Sequence, residues 1–214
     1  SIPPRLITAV RAYDWEKVNE VNSSGGKADI STFTGMLGDY AYPSDIVDYG
    51  CSVDVGYGLT PFEAESLNSS KMVNNSSRQV IVSHGGFKIV FSGDVEADGW
   101  GALLQNIGFR SALSGTNVFV ASHHGHSSGY SKEIFNAMGK PDVVVVSAES
   151  GDPHVDGGYS DSKNVKGILY RDFGVRYMLS TRNDGSMVID VSDDGRYTIE
   201  LNDFPDNIFD DAGF

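Results

Sequence analysis

The chain has 214 residues, 40% hydrophobic and 21% charged, with a formal net charge of −13. That length suffices for one large domain or two small ones with a buried core, and the composition is ordinary for a soluble globular fold. The acidity disfavours sequence-independent coating of nucleic acid, because a polyanion is repelled at long range, but a metal site can still neutralise one phosphate locally.

Cys51 is the only cysteine, which excludes an intrachain disulfide and a thiolate-rich zinc site. It is expected to be a small core residue, and any metal must be held by His, Asp or Glu. No apolar run approaches the roughly 20 residues that span a bilayer. Ser1-Ile2-Pro3-Pro4-Arg5 shows no signal-peptide pattern, and sequons at Asn22, Asn68 and Asn75 leave the compartment open.

In chain order, Leu6, Val10 and Tyr13 predict a helix over 6–21, followed by a mostly irregular stretch over 27–47. A short strand is expected around Cys51–Val55, broken at Thr60-Pro61. Asn74-Asn75-Ser76-Ser77 reads as a turn before the β-branched strand Gln79–Ser83. His84-Gly85-Gly86 turns the chain into a returning strand, Phe87–Phe91. A helix is expected over 96–107, burying Trp100, Leu103, Leu104 and Ile107 on one face.

Further strands are expected at Asn117–Ala121 and Asp142–Ser147, the second apolar enough to be covered on both faces. Between them lies a helix over Ser131–Met138 with Ser131 as N-cap. A helix over Ser160–Phe173, closed by Gly174, precedes a strand at Val175–Ser180. Asn183-Asp184-Gly185 is expected to turn that strand into Ser186–Val191, and Asp193-Asp194-Gly195 leads to a last strand at Tyr197–Leu201. The acidic tail 203–214 is expected to fray. Strands alternating with helices early and forming hairpins late predict an α/β layered domain.

Two strand ends deliver chemistry-bearing residues. Phe87–Phe91 is followed by Ser92-Gly93-Asp94, and Asn117–Ala121 by Ser122-His123-His124-Gly125-His126-Ser127-Ser128. A carboxylate behind a buried strand projects from the sheet end where α/β sites commonly sit; its bland alternative is a helix N-cap. Histidine is the commonest metal ligand, and adjacent histidines at a strand end point different ways, so one or two of His123, His124 and His126 can reach one ion. His154, in a loop, is either a surface histidine or near the substrate. His84, in a turn, is expected to be structural or exposed. Asn74 and Asn75 are either turn residues or polar groups facing the site.

The ordered set Asn74–Ser77, Val90-Phe91-Ser92-Gly93-Asp94, Ser122–Ser128 and Pro141-Asp142 with its valine strand resembles the metallo-β-lactamase superfamily. The similarity is to the hydrolase domain of competence-type DNA-uptake proteins and to phosphorylcholine esterases. It covers about residues 72 to 190, with Thr181 and Gly185 echoing a later hairpin. The resemblance implies an αββα sandwich with two divalent ions, zinc or manganese. Asp94 would bridge both and His123 or His124 would bind the second, while His154 would match a loop histidine near the substrate. The ions would lower the pKa of a bridging water, whose hydroxide attacks an ester or phosphoester. Asp94, His124 and His154 are thus the catalytic candidates, and Asp94, His123 and His124 the metal candidates.

The family's His-x-His-x-Asp-His motif is missing, since residues 1–73 contain no histidine. Three explanations compete: a C-terminal portion completed by another polypeptide, a metal-free scaffold or interaction module, and a rearranged His124-Gly125-His126. The third is weakest, because Ser128-Gly129 stand where Asp-His belongs. The first is the expectation adopted: residues 1–71 form a helix and connecting region of the same domain, 72–202 the C-terminal portion of the sandwich, and 203–214 a tail. A complementary N-terminal polypeptide or self-association then supplies the missing ligands. The substrate is a small molecule or phosphoester, and no membrane partner is expected.

Overall fold

The computed structural model describes residues 51–148, 154–170 and 174–202. The expected helix over 6–21, the irregular stretch over 27–47 and the tail 203–214 lie outside the described residues. Among the described residues no helix is long and apolar enough to cross a membrane.

The protein is mixed α/β, built on a six-stranded sheet. β1 (Ser52–Tyr57), β2 (Gln79–His84) and β3 (Phe87–Phe91) are antiparallel neighbours. β4 (Val118–Val120) and β5 (Val143–Val146) then add in parallel to β3. After the small pair β6 (Ile168–Leu169) and β7 (Val175–Arg176), β8 (Met178–Ser180) closes the sheet in parallel with β5. β9 (Ser186–Val191) and β10 (Tyr197–Asn202) form a separate hairpin through the expected turn at 193–195.

Alternation along the strands assigns the two faces. Ile81, Val90, Phe119, Val144 and Val146 pack into the larger core with the helices. These are α1 (Pro61–Leu67), α2 (Met72–Asn75), α3 (Ala97–Leu103), α4 (Ile107–Leu113) and α5 (Lys132–Met138). Phe87, Ile89, Val118, Val143 and Leu179 point the other way, against Met187, Ile189, Tyr197 and Ile199 of the hairpin. Coverage on both faces is why β5 reads as four consecutive valines. The hairpin leaves part of that second face open. A groove of about 650 Å³ is lined by Val82, Phe91, Val120, Val145, Met187 and the half-buried Cys51, which is therefore not a core residue.

Three expectations are corrected here, and one is extended. Residues 160–170 are not helical: the chain turns at 162–164 and enters β6. The Asp161 carboxylate takes the Lys163 N–H, and Lys166 and Gly167 donate to the Pro141 and Asp142 carbonyls. Gly167, at φ +86°, has the Val175 and Tyr177 side chains where a Cβ would stand, so tertiary contacts override the helical pattern.

The expected helix over 96–107 is two helices, because the Asn106 side chain caps the Phe109 N–H and starts α4. Ile107 is consequently 73% exposed, and Phe109 and Leu113 are buried in its stead. Asn183-Asp184-Gly185 is no hairpin turn. The single helical turn α6 (Thr181–Asp184) carries the chain from β8 to the hairpin layer, fixed by buried Asp184, which takes the Ser180 N–H and pairs with Arg176. Thr60-Pro61 does more than end a strand, since Thr60 and Glu63 form a capping box with Pro61 at the start of α1.

One carboxylate ties the layers together. Asp142, just before β5, accepts hydrogen bonds from Asn117 Nδ2 (2.8 Å), Lys166 Nζ (2.8 Å) and the Tyr197 hydroxyl of the hairpin (3.0 Å). Burial opposes its ionisation, but the bonds from Lys166, Asn117 and Tyr197 outweigh it and hold the carboxyl below its ordinary pKa. A depressed folded-state pKa stabilises above the unfolded value of about 3.9, and that contribution is lost as pH falls through the folded value. Asp142→Ala should cost about 1–3 kcal/mol at pH 7 in urea denaturation, since Tyr197 and Asn117 lose their acceptor. Asp142→Asn should flatten the loss of stability below about pH 4; a slope equal to wild type would refute the assignment.

Candidate functional site

The site lies at the C-terminal edge of the parallel strands. β3 and β4 are paired from Ile89–Val118 to Phe91–Val120, so the loops that follow them leave the sheet side by side. The first carries Asp94 and the second the histidines.

Buried polar groups hold both loops. Asn75 is fully buried, and its Oδ1 accepts the Glu96 N–H (2.9 Å) while its Nδ2 donates to Asp98 (3.0 Å). Asn74 Nδ2 donates to Glu96 Oε1 (2.9 Å), and Glu96 Oε2 meets Lys71 Nζ (2.8 Å). Ser77 Oγ accepts the N–H of Asp94 itself (3.0 Å). Gly93 adopts φ +57°, and a Cβ there would stand 2.7 Å from that of Ser77, so the chain reaches Asp94 only through a glycine. Asn74 and Asn75 thus end α2, and their side chains together with that of Ser77 fix the Asp94 loop.

Ser122 joins the two loops. Its side chain is buried, and its hydroxyl donates to the Val95 carbonyl with the Gly93 carbonyl 3.2 Å away. The His123 N–H also donates to Gly93 O (3.0 Å), and Ala97 N–H to Ser128 O (2.9 Å). Beneath the turn, the hydroxyl of buried Tyr159 reaches the Ser122 carbonyl, and burial pushes that phenol well above its usual pKa.

His123 (φ 49°, ψ 50°) and His124 (φ 55°, ψ 25°) are both left-handed. Each costs about 1–2 kcal/mol for a residue with a side chain, and such strain clusters at functional sites. The turn splays the two rings, with centroids 6.4 Å apart and planes at 55°.

His124 is the ring that meets Asp94, with Nε2 3.7 Å from Asp94 Oδ1. That is too long for a hydrogen bond. It falls within the roughly 4 Å that two ligands, each about 2.0–2.2 Å from one zinc-sized ion, can span. His124 Nδ1 lies 2.8 Å from the Ser147 carbonyl at the end of β5. A carbonyl only accepts, so Nδ1 carries a proton, and Nε2 is the ring nitrogen left to face Asp94. Both side chains are open to solvent, 45% for Asp94 and 59% for His124.

His123 turns instead to Ser128, with Nδ1 2.8 Å from Oγ, and His126 Nδ1 approaches the same oxygen at 3.3 Å. His154 lies edge-on to His126, centroids 5.6 Å apart, where an isolated bridge pairs His126 with Val155. His84 is on the opposite edge of the sheet, 3.4 Å from Asp193. The structure therefore brings Asp94 and His124 together and sets His123, His126 and His154 in an arc beside them. Among the described residues, no group of three or more His, Cys, Asp or Glu side chains is arranged to hold an ion. Sequence reasoning missed Ser77, Ser122 and Ser128 as supports; their only signal was a small hydroxyl residue next to a candidate ligand or glycine.

Comparison with protein-family models, with curated proteins and with solved structures returns no match.

Ser77→Ala should speed amide hydrogen exchange at Asp94 by at least about tenfold while global stability falls by about 1 kcal/mol, the worth of one such bond. Unchanged exchange at Asp94 would show that the hydroxyl does not hold the loop.

Proposed function

We propose that this chain carries part of the metal site of a hydrolase with a metallo-β-lactamase-like fold, acting on phosphodiesters or other esters. The observation that carries the reading is the His124–Asp94 pair. One histidine has its Nδ1–H committed to a backbone carbonyl and its Nε2 aimed at a carboxylate too far away to hydrogen-bond. Metal-ligating histidines are oriented in this way, and the donor set of imidazole and carboxylate suits zinc or manganese. The finer αββα architecture is supported by the layer order, with helices on one sheet face and a two-stranded hairpin that half covers the other.

In this reading Asp94 and His124 hold an ion, and His123 contributes through its Nε2 to a second. The ions, when bound, supply Lewis acidity towards the ester oxygen and activate the attacking water. The chain's own part is to fix the donors. Ser77 and Ser122 hold the Asp94 backbone, Ser147 O and Ser128 Oγ orient the two histidines, and His154 faces the substrate beside His126. The described residues offer too few ligands for two ions; in this reading a complementary N-terminal polypeptide or a second copy of the chain supplies the remainder.

Metal analysis of the full chain, purified with any polypeptide that accompanies it, tests the reading. Zinc or manganese should be present, and Asp94→Ala and His124→Ala should each lower hydrolysis of a generic phosphodiester by at least about a hundredfold with the fold intact. A complete assembly free of zinc, manganese and iron would sink this reading in favour of a metal-free interaction module.

A further inference from the structure

The cover over the second face of the sheet stops one row short. Val118 of β4 and Val143 of β5 are paired neighbours on that face, and both are fully buried. Two residues further along the strands, Phe91, Val120 and Val145 form the next row in register. Phe91 is 42% exposed, and Val120 and Val145 are only half-buried. These three line the groove of about 650 Å³ from the sheet side, and Met187 and Ile189 line it from the hairpin.

Apolar surface of this kind is stabilised by removal from water, so the groove suits an apolar occupant. The chain brings one to its rim. Cys51, the first described residue, itself lines the groove, and residues 1–50 are joined directly to it. Within them Leu6, Val10, Tyr13, Val18 and Val21 recur at helical spacing, the pattern of a helix with one apolar face. A helix of that length is marginal in water and depends on packing that face against something.

We propose that residues 6–21 lie as a helix in this groove, with Leu6, Val10 and Tyr13 turned towards its apolar lining. Residues 22–50 link the segment to Cys51, and a chain of that length spans about 30 Å on average, enough to lie back across the groove from its rim. Tethering sets an effective concentration in the millimolar range. That is far above the concentration of a second copy in dilute solution, so the chain's own segment fills the groove first. A helix is about 10 Å across, which matches the spacing of about 10 Å at which a layer packs on a sheet. The row it covers is the last before β3 and β4 give way to the Asp94 and His123 loops, so the segment backs the edge that carries the candidate site. No residue of that site takes part, and the proposal is independent of the hydrolase reading.

Cys51 is the only thiol, so its alkylation by iodoacetamide reports on the groove alone. The full chain is used at about pH 8, close to the ordinary thiol pKa. Leu6→Asp together with Val10→Asp should speed alkylation by at least about tenfold, because two carboxylates are not retained in an apolar groove. Thr8→Asp, on the opposite face of the helix, should leave the rate within about twofold of wild type. The reciprocal measurement is amide hydrogen exchange. Val120→Asp should speed exchange over 6–21 by at least about tenfold while β3 and β5 stay protected, and Val120→Ile should not. Where Val120→Asp opens the sheet as well, the thiol measurement decides alone.

Equal alkylation rates in the wild type and the double variant overturn the proposal, as does an equal effect of Thr8→Asp. A wild-type rate that falls as protein concentration rises assigns the groove to a second copy of the chain and overturns it too.

Discussion

Because β3 and β4 run parallel and in register, the segments that leave them start from one edge of the sheet a single strand spacing apart. Antiparallel pairing would have sent Asp94 and His124 to opposite ends. Everything at the site depends on this shared edge. β5 and β8 run the same way and bring the Ser147 carbonyl and Thr181 to it as well. Thr181 then donates through its hydroxyl to the Ala148 carbonyl, closing the edge on the far side. The order of the strands thus gathers residues from four separate parts of the chain without any one loop having to be long.

Parallel strands alone fix the loops only at their roots. The rest is done by polar groups that are themselves buried, and burial makes them demanding: each must find a partner or destabilise the fold. Asn75 and Ser122 are withdrawn from solvent, and between them they satisfy the backbone on either side of Asp94. The side chains that would meet a ligand, by contrast, stay open to water. The scaffold is therefore stiff where the chemistry is absent and accessible where it is expected. The two left-handed histidines sit at the junction, with their strain offset by the His123 N–H bond to Gly93 O and the His124 bond to Ser147 O.

Much of this was legible in the sequence, and the failures have particular causes. The strands from Gln79 to Val146 are apolar, β-branched and bounded by glycine or asparagine, and they were placed to within a residue or two. Asp94 and the histidines stood out because they followed buried strands. What local pattern could not supply was pairing. Val175–Ser180 and Ser186–Val191 look like a hairpin around Asn-Asp-Gly, yet they belong to different layers, because Asp184 is consumed by Arg176 and the Ser180 N–H. The helical spacing over 160–173 was likewise outweighed, at 160–170, by contacts to the start of β5. Which of His123 and His124 faces Asp94 was undecidable from adjacency, since it depends on two backbone torsions and on a carbonyl from another strand.

The two histidines also show why small residues around a site matter more than their composition suggests. An imidazole is ambiguous until its second nitrogen is committed, and the structure commits the two rings by different means. The Ser147 carbonyl can only accept, so the state it imposes on neutral His124 survives any rearrangement of neighbouring protons. Ser128 can give or accept, so what it imposes on His123 depends on what His126 requires. One ring meets a backbone carbonyl and the other a hydroxyl that it shares with His126. A substitution at position 147 would leave its carbonyl in place, whereas one at position 128 removes the hydroxyl that meets His123 Nδ1. If the edge holds an ion at each ring, sequence change would be tolerated at Ser147 and not at Ser128, although neither side chain touches the ion.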